Sequence, residues 1–367
     1  MDHFYALARA RGKEEHFGRE ILSCTVFRHM ALAVEAAGGT AYLESDVCEG
    51  DRITREAFCA MAEGSSVLLL LSPAAALSAE TLIRLADRPE TSALVAGPRV
   101  LALWGGAGEV FSLDPAALPD TVARVQAIPI ESIPVTDPES AYAVQEQLRR
   151  RINLGWMKKG VFFTDPNTTH ISPQAVLEPG CTLLPGCLIY GESTVAAGAV
   201  IGPNALLKDA RVGENCTVNS SQITGSTVGS GTTVGPFAYI RPGCVIGSNA
   251  RIGDFVELKN SSVGDGTKIS HLTYIGDSDL GKRINVGCGG VTVNYDGKRK
   301  YRTTVEDDSF VGCNVNLVSP VKIGRGSYLA AGGTITEDVP EDAFVIARSR
   351  ATVKRDWVQK RREEGKL

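Results

Sequence analysis

From Ile171 onward an aliphatic residue returns every six positions, with small or turn-forming residues between. The phases read ISPQAV, LEPGCT, LLPGCL, IYGEST and VAAGAV, and continue through VGSGTT, IRPGCV, IGSNAR, IGDFVE, VGDGTK and ISHLTY. A helix of 3.6 residues per turn cannot keep a six-residue period on one face, whereas a short strand followed by a turn can. The pattern predicts stacked coils with the aliphatic residue pointing inward and a small fifth residue at the bend, so that neighbouring coils bury one continuous core. The phase is lost over VGCGGVTVNYDGKRKYRTT, Val286 to Thr304, and resumes at VEDDSF. That stretch is predicted to leave the solenoid as a loop, and loops of this kind gather on binding faces.

Residues 1–130 follow other periods. HFGREILSCTVFRHMALAVEAAGGTAYLE reads as an amphipathic helix, a Gly-Gly turn and a strand; SSVLLLLSP reads as a buried strand ended by proline; SAETLIRLAD opens with a serine cap and a first-turn Glu. Strand alternating with helix predicts a small α/β domain with a partly parallel sheet. DPESAYAVQEQLRRRINLGWMKKG reads as a capped helix leading to the solenoid, and RATVKRDWVQKRREEGKL as a basic extension at the end.

Charge sharpens this division. The chain of 367 residues carries a formal net charge of −4, which gives no sign of a nucleic-acid surface. Residues 1–130 hold 11 Lys and Arg against 17 Asp and Glu, while 8 of the remaining basic residues fall in the last 20 positions. The nine cysteines include no CxxC pair, and Cys181, Cys187, Cys216 and Cys244 stand where the repeat wants a small residue. They read as reduced, buried thiols of a cytoplasmic protein. No signal peptide is recognised, and the apolar run Val67–Leu71 is too short to span a bilayer, so no membrane role is expected.

Within the repeat, His271 and Tyr274 are chemically out of place. Arg241, Lys259, Lys300 and Arg348 lie along the same stretch of chain. An imidazole ordinarily titrates near about pH 6.5 and can take up a proton at neutral pH. Cations beside such a base suit a phosphorylated substrate. Glu257 is the acid expected to orient or charge-balance the imidazole. His3, His16, His29 and His170 lack comparable company and read as structural.

The segments IRPG, GDFVELKNSSVGDGTKISHLTYIGDSDLG, VTVNYDGKRKYRT and SYLAAGGTITEDVPEDAFVIARS resemble the C-terminal half of the bacterial bifunctional N-acetylglucosamine-1-phosphate uridyltransferase/glucosamine-1-phosphate N-acetyltransferase family. The resemblance runs from about Val135 to the end and implies a left-handed parallel β-helix with three hexads per coil. It implies acetyl transfer from acetyl-CoA, as co-substrate, to the amine of glucosamine-1-phosphate, a step toward UDP-N-acetylglucosamine and peptidoglycan precursors. His271 falls on the family's base. Arg241, Lys259, Tyr274, Asn285 and Lys300 fall on its sugar-phosphate contacts, and Asn294, Tyr295, Ala331 and Arg348 on its acetyl-CoA contacts. Cys313 stands for a serine at the cofactor's acyl end and Cys288 for an alanine beside the acetyl group. The family also implies a homotrimer with sites between subunits, a small-molecule substrate and a cytoplasmic location. No metal is expected for the acetyl transfer.

The front does not carry the family's Gly-rich phosphate loop. Its metal-binding Asp falls on Pro73 and a second metal position on Thr136, so residues 1–134 read as a truncated, degenerate nucleotidyltransferase-like α/β domain without uridyl transfer. A linker helix is expected over 135–165, the β-helix over 166–347 and the basic extension over 348–367. Two alternatives stay open: the same chemistry on another amino-sugar phosphate such as galactosamine-1-phosphate, and a non-catalytic trimeric scaffold or sensor.

Overall fold

The computed structural model describes residues 3–10, 14–45, 50–88 and 90–367, in two compact units, residues 1–209 and 210–367. Cys48 lies outside the described residues.

The first unit opens with a seven-stranded sheet. Its order is Arg52–Ile53, Gly39–Glu44, Phe4–Ala8, Ser66–Leu70, Arg99–Gly106, Ser92–Ala96 and Ala123–Gln126. Phe4–Ala8 pairs in parallel with both Gly39–Glu44 and Ser66–Leu70, while Arg99–Gly106 runs antiparallel to its two neighbours. The run Val67–Leu70 is apolar throughout because helices cover both faces. Leu68 and Leu70 join a core with Phe4, Met30 and Leu85, and Val67 and Leu69 join a second core with Leu7, Phe58 and Leu103.

The expected local signals are present. Thr25 caps the helix Val26–Ala36 through Arg28 N at 3.1 Å, and Ser78 caps Ala79–Ala86 through Thr81 N at 3.3 Å. Asp137 and Ser140 form a reciprocal capping box at the start of the 21-residue helix Pro138–Lys158, whose Val144 and Leu148 reach back into the first core. Two features were not anticipated: the hairpin Ser92–Ala96/Arg99–Gly106, and the short antiparallel pair Glu20–Ile21/Cys24–Thr25 ahead of the first long helix.

Parallel β-helix coils begin at Phe162–Phe163 in the first unit, and the second unit consists of further coils from Arg211 onward. In the first, His170 pairs with Leu188 and Thr182 with Val200; in the second, Thr217 pairs with Thr233, Arg251 with Lys268 and Phe310 with Tyr328. A residue therefore meets its counterpart three hexads on, with small variations in coil length. Across the break the register jumps, Asn285 pairing with Phe310, because Asn294–Arg302 leaves the coil.

The inward aliphatics are shut off from solvent, Ile171, Leu183, Ile201, Ile223, Ile252 and Ile269 being 0% exposed. Burying each contributes about 1.5–3 kcal/mol relative to exposure. Cys181, Cys187, Cys216 and Cys244 are buried at the bends, and burial pushes the thiols of Cys181 and Cys187 up to about 11, so both stay protonated. Residues 357–363 form a helix with no buried side chain.

Candidate active site

His271 ends the strand Lys268–His271, and its side chain is 54% exposed. The coil before it places Asp254 directly in register. His271 Nδ1 and Asp254 Oδ1 are 2.5 Å apart. Asp254 is held below the usual carboxylate range chiefly by this bond. An ionised carboxylate only accepts, so Nδ1–H is the donor, and in the neutral ring Nε2 keeps its lone pair free. The main chain beside the ring is also fixed: Leu272, with φ +42°, donates its N–H to the Asp254 carbonyl, and Thr273 Oγ1 donates to the His271 carbonyl at 2.6 Å.

The expectation for Glu257 is corrected. Its carboxylate accepts from Arg241 Nη1 at 2.9 Å, so it serves the arginine, and Asp254 is the acid on the imidazole. The reason is register. Glu257 stands beside Tyr274 on the next face of the coil, three residues beyond the position that meets His271.

On that next face the cations gather. Lys259 Nζ lies 3.5 Å from Asp277 Oδ2, and the Lys259 side chain is 20% exposed. Its pKa is raised, first by contact with the Lys300 amine and then by the charge of Asp277; Lys300 is lowered, mainly by Lys259 and further by Arg241. Two ammonium groups placed together repel, and an anion bound between them would relieve that repulsion. Burial pushes the Asp277 carboxyl up, but bonds from Asn260 Nδ2 at 2.6 Å and Asn294 Nδ2 at 2.5 Å, with the Lys259 charge, hold it below its ordinary value. Tyr274 folds across Gly276, where an added Cβ would lie 2.3 Å from Tyr274 Oη; only glycine leaves that ring its place.

The extruded loop is tied down at both ends. Asn294, 7% exposed, gives its amide to Asp277, and Arg302 makes a two-pronged bond to Asp279 at 2.8 and 2.6 Å. At the tip Asp296 accepts from the N–H groups of Lys298 and Arg299, both at 2.7 Å. Lys300 bridges back to Tyr295, and Tyr295 is 55% exposed. Asn294, expected at the acetyl-CoA, is thus buried and engaged with Asp277.

A column of turns rises from His271. Gly289 N donates to the Leu272 carbonyl, Asn314 N to that of Cys288, and Gly332 N to that of Cys313, so Cys288, Cys313 and Ala331 occupy successive bends. A Cβ at Gly312 would lie 2.6 Å from Ala331 N, and one at Gly332 would lie 3.5 Å from the Arg348 side chain. Of the residues expected at the cofactor, Cys288, Cys313, Ala331 and Arg348 therefore follow one edge of the coil, while Asn294 and Tyr295 belong to the extruded loop. Asn285 is not brought to the lysines: it is in register with Lys268 and Phe310, on the His271 face, and no hydrogen bond joins it to Lys259 or Lys300.

The acids Asp254, Asp277 and Asp279 were missed in the sequence because each sits in a turn-like GD or DSD. A signal was present for one of them. In IGDFVE and ISHLTY, one coil apart, Asp254 and His271 occupy the same third position.

Residues 225–260 match the family described as bacterial transferase hexapeptide (six repeats). The chain is 47% identical over 231 residues to the bifunctional protein GlmU of Halalkalibacterium halodurans, covering 63% of this chain and 51% of that one. To the bifunctional protein GlmU of Exiguobacterium sp. it is 44% identical over 263 residues, covering 72% of this chain and 56% of the relative. The chain spans about half the length of the curated relatives it matches. The resemblance read from the sequence is borne out by these matches, which cover only part of each relative. Among solved structures, the Arabidopsis UDP-N-acetylglucosamine acyltransferase is 18% identical with a TM-score of 0.24, covering 54% of this chain and 77% of that one, and a score this low carries no argument.

Proposed function

We propose that the protein transfers the acetyl group of acetyl-CoA to the amine of glucosamine-1-phosphate. The observation that carries this reading is the Asp254–His271 pair with an exposed ring on one face of the coil, with the Arg241, Lys259 and Lys300 cations on the next face. A sugar amine is mostly protonated at neutral pH, and a base beside it must remove a proton as nitrogen attacks the thioester carbonyl. Nε2 of His271 takes that proton while Asp254 holds the imidazolium. The C–N bond forms, the C–S bond breaks, and CoA leaves as its thiol once a proton reaches the sulfur. Lys259, Lys300 and Arg241 hold the phosphate and so fix the amine near the base. Backbone N–H groups at the coil edge steady the oxyanion.

Acetyl-CoA lies along the turn column, with its acyl end by Cys288 and Cys313 and its phosphates toward Arg348. Tyr295 and Ala331 flank it. A second and third copy of the chain complete each site, which accounts for the separate placement of Asn285. The reaction belongs in the cytoplasm, where acetyl-CoA is made available.

The front domain carries no uridyl transfer in this reading. Pro73 and Thr136 stand at the family's two metal positions, and neither offers a carboxylate, so the residues present do not fit a divalent cation. UTP with magnesium should release no pyrophosphate. The direct test is CoA thiol release over a panel of amino-sugar phosphates including galactosamine-1-phosphate. The reading expects the highest kcat/KM with glucosamine-1-phosphate, and no release above background with any of them would refute it.

A further inference from the structure

Along the His271 edge, the third position of each hexad forms a column. Asp254 pairs with His271 in register. Lys268 pairs with Asn285 and Ile269 with Val286, and the same offset sets Cys288 over His271. Asn285 pairs with Phe310 and Val286 with Val311, which sets Cys313 over Cys288. Asn314 N donates to the Cys288 carbonyl at 2.8 Å, as that register requires. The coils approach closely here, since a Cβ at Gly287 would lie 2.6 Å from Cys313 N. Side chains at this position meet from one coil to the next, as Asp254 Oδ1 and His271 Nδ1 do at 2.5 Å.

Stacked strands lie about 4.8 Å apart, and a disulfide joins Cα atoms about 4.4–6.8 Å apart. Two cysteines in register on adjoining coils are therefore within bridging reach. Both are free thiols here, Cys288 half-buried and Cys313 exposed. The thiols elsewhere in the coils differ. Cys181, Cys187, Cys216 and Cys244 are buried, burial raises the pKa of each, and each faces a residue other than cysteine on the next coil. A buried thiol of that kind is inert, whereas an exposed one is open to oxidation. His271, one coil below Cys288, is a base of the kind that takes a thiol proton.

We propose that Cys288 and Cys313 are a site of reversible oxidation by hydrogen peroxide, and that their disulfide closes the edge of the coil to the acyl end of acetyl-CoA. The second clause rests on the cofactor placement given under the proposed function. Cys313, the more exposed, attacks a peroxide oxygen; the O–O bond breaks, the sulfur becomes a sulfenic acid, and the thiol proton leaves with the released oxygen as water. The Cys288 sulfur then attacks the sulfenic sulfur; the S–O bond breaks, the S–S bond forms, and a second water leaves. Two thiols thus give up two electrons and two protons, and peroxide becomes two waters. Side chains leaving parallel coils keep near the coil spacing, wider than the Cβ separation of about 3.8 Å usual in disulfides. The bridge is therefore strained and easily reduced, which suits a reducing compartment where lasting disulfides are rare.

Peptide mapping by mass spectrometry, without reductant, of the full chain treated with hydrogen peroxide tests it. A crosslink between Cys288 and Cys313 should appear, bound acetyl-CoA should slow it, and dithiothreitol should remove it. Acetyl transfer, followed as N-acetylated sugar, should fall in proportion to the crosslinked fraction and return with dithiothreitol. Cys288→Ala/Cys313→Ser should form no crosslink and keep its own untreated rate through the same treatment. A chain that forms and releases the crosslink yet acetylates no sugar would support the dithiol site and count against the proposed function. The inference is overturned if peroxide carries Cys313 to higher acids without a crosslink, if either sulfur bridges to a different cysteine, or if the crosslinked chain acetylates glucosamine-1-phosphate at the untreated rate.

Discussion

The two cationic clusters differ in what faces them. Around His271 the charges come with acids: Arg241 with Glu257, Lys259 with Asp277, His271 with Asp254, and Arg302 with Asp279. In a cavity of the front domain two arginines and a histidine, Arg9, Arg99 and His16, stand with no acid in the lining among the described residues. The first arrangement fixes each side chain and leaves Lys300 as the amine without a carboxylate of its own, crowded by Lys259. The second leaves its cations without a carboxylate partner among the described residues, Arg99 donating only to the Ser132 carbonyl. Overall composition points elsewhere, since the front has the surplus of acids. The register of the scaffold therefore decides local potential, and net charge does not.

The largest expected effect is at His271. His271→Ala should lower turnover about 10²–10⁴-fold while the melting temperature stays at the wild-type value, because the ring is exposed. A wild-type rate in that variant would remove the proposed base. Asp254→Asn comes next. It keeps the size of the side chain and replaces the accepting carboxylate, so kcat should fall about 10–100-fold, as for loss of a hydrogen bond to a charged group, with KM for the sugar phosphate little changed. Glu257→Gln should instead act on KM, through Arg241. A kcat loss confined to Glu257→Gln, with Asp254→Asn silent, would reverse the assignment of the two acids.

Lys300→Met should raise KM for the phosphorylated sugar about tenfold and leave that for acetyl-CoA near its original value. Steady-state kinetics with each substrate varied in turn distinguish this from a general loss. The smallest effect concerns stability. Asp277 has its pKa depressed in the folded chain, so the unfolded chain binds more protons between the folded value and the ordinary carboxylate value. Its contribution is therefore present above about pH 4 and is lost as pH falls through the lower, folded value. Asp277→Asn should flatten the decline of the melting temperature below about pH 4, and an unchanged acid slope would show that the Asp277 contacts do not hold the loop.

Much of the fold was legible because a six-residue period constrains the chain strongly. One aliphatic position per hexad is buried, and a break in the phase can only be an extrusion, as Asn294–Arg302 is. The hairpin Ser92–Ala96/Arg99–Gly106 was not legible: its strands are apolar on both faces, which gives no alternation to read. In the candidate site, residues of unusual type for the repeat, His271, Tyr274 and Lys300, stood out from the sequence. Their partners did not, because Asp254 and Asp277 are residue types that turns favour. Only stacking the coils shows that Asp254 lies under His271 while Glu257 does not. Asn285 marks the limit of reading one chain, since its face is separate from that of the lysines.

The central claim is that His271, held by Asp254, deprotonates a sugar amine as it attacks acetyl-CoA. A single-turnover reaction of enzyme-bound acetyl-CoA with glucosamine-1-phosphate, followed by mass spectrometry of the sugar, tests it most directly. Wild-type protein should convert the sugar phosphate to its N-acetyl form, and His271→Ala should slow that step at saturating substrate without weakening the binding of either one. Equal rates of N-acetylation in the two proteins, or no N-acetylated sugar from the wild type, would contradict the account.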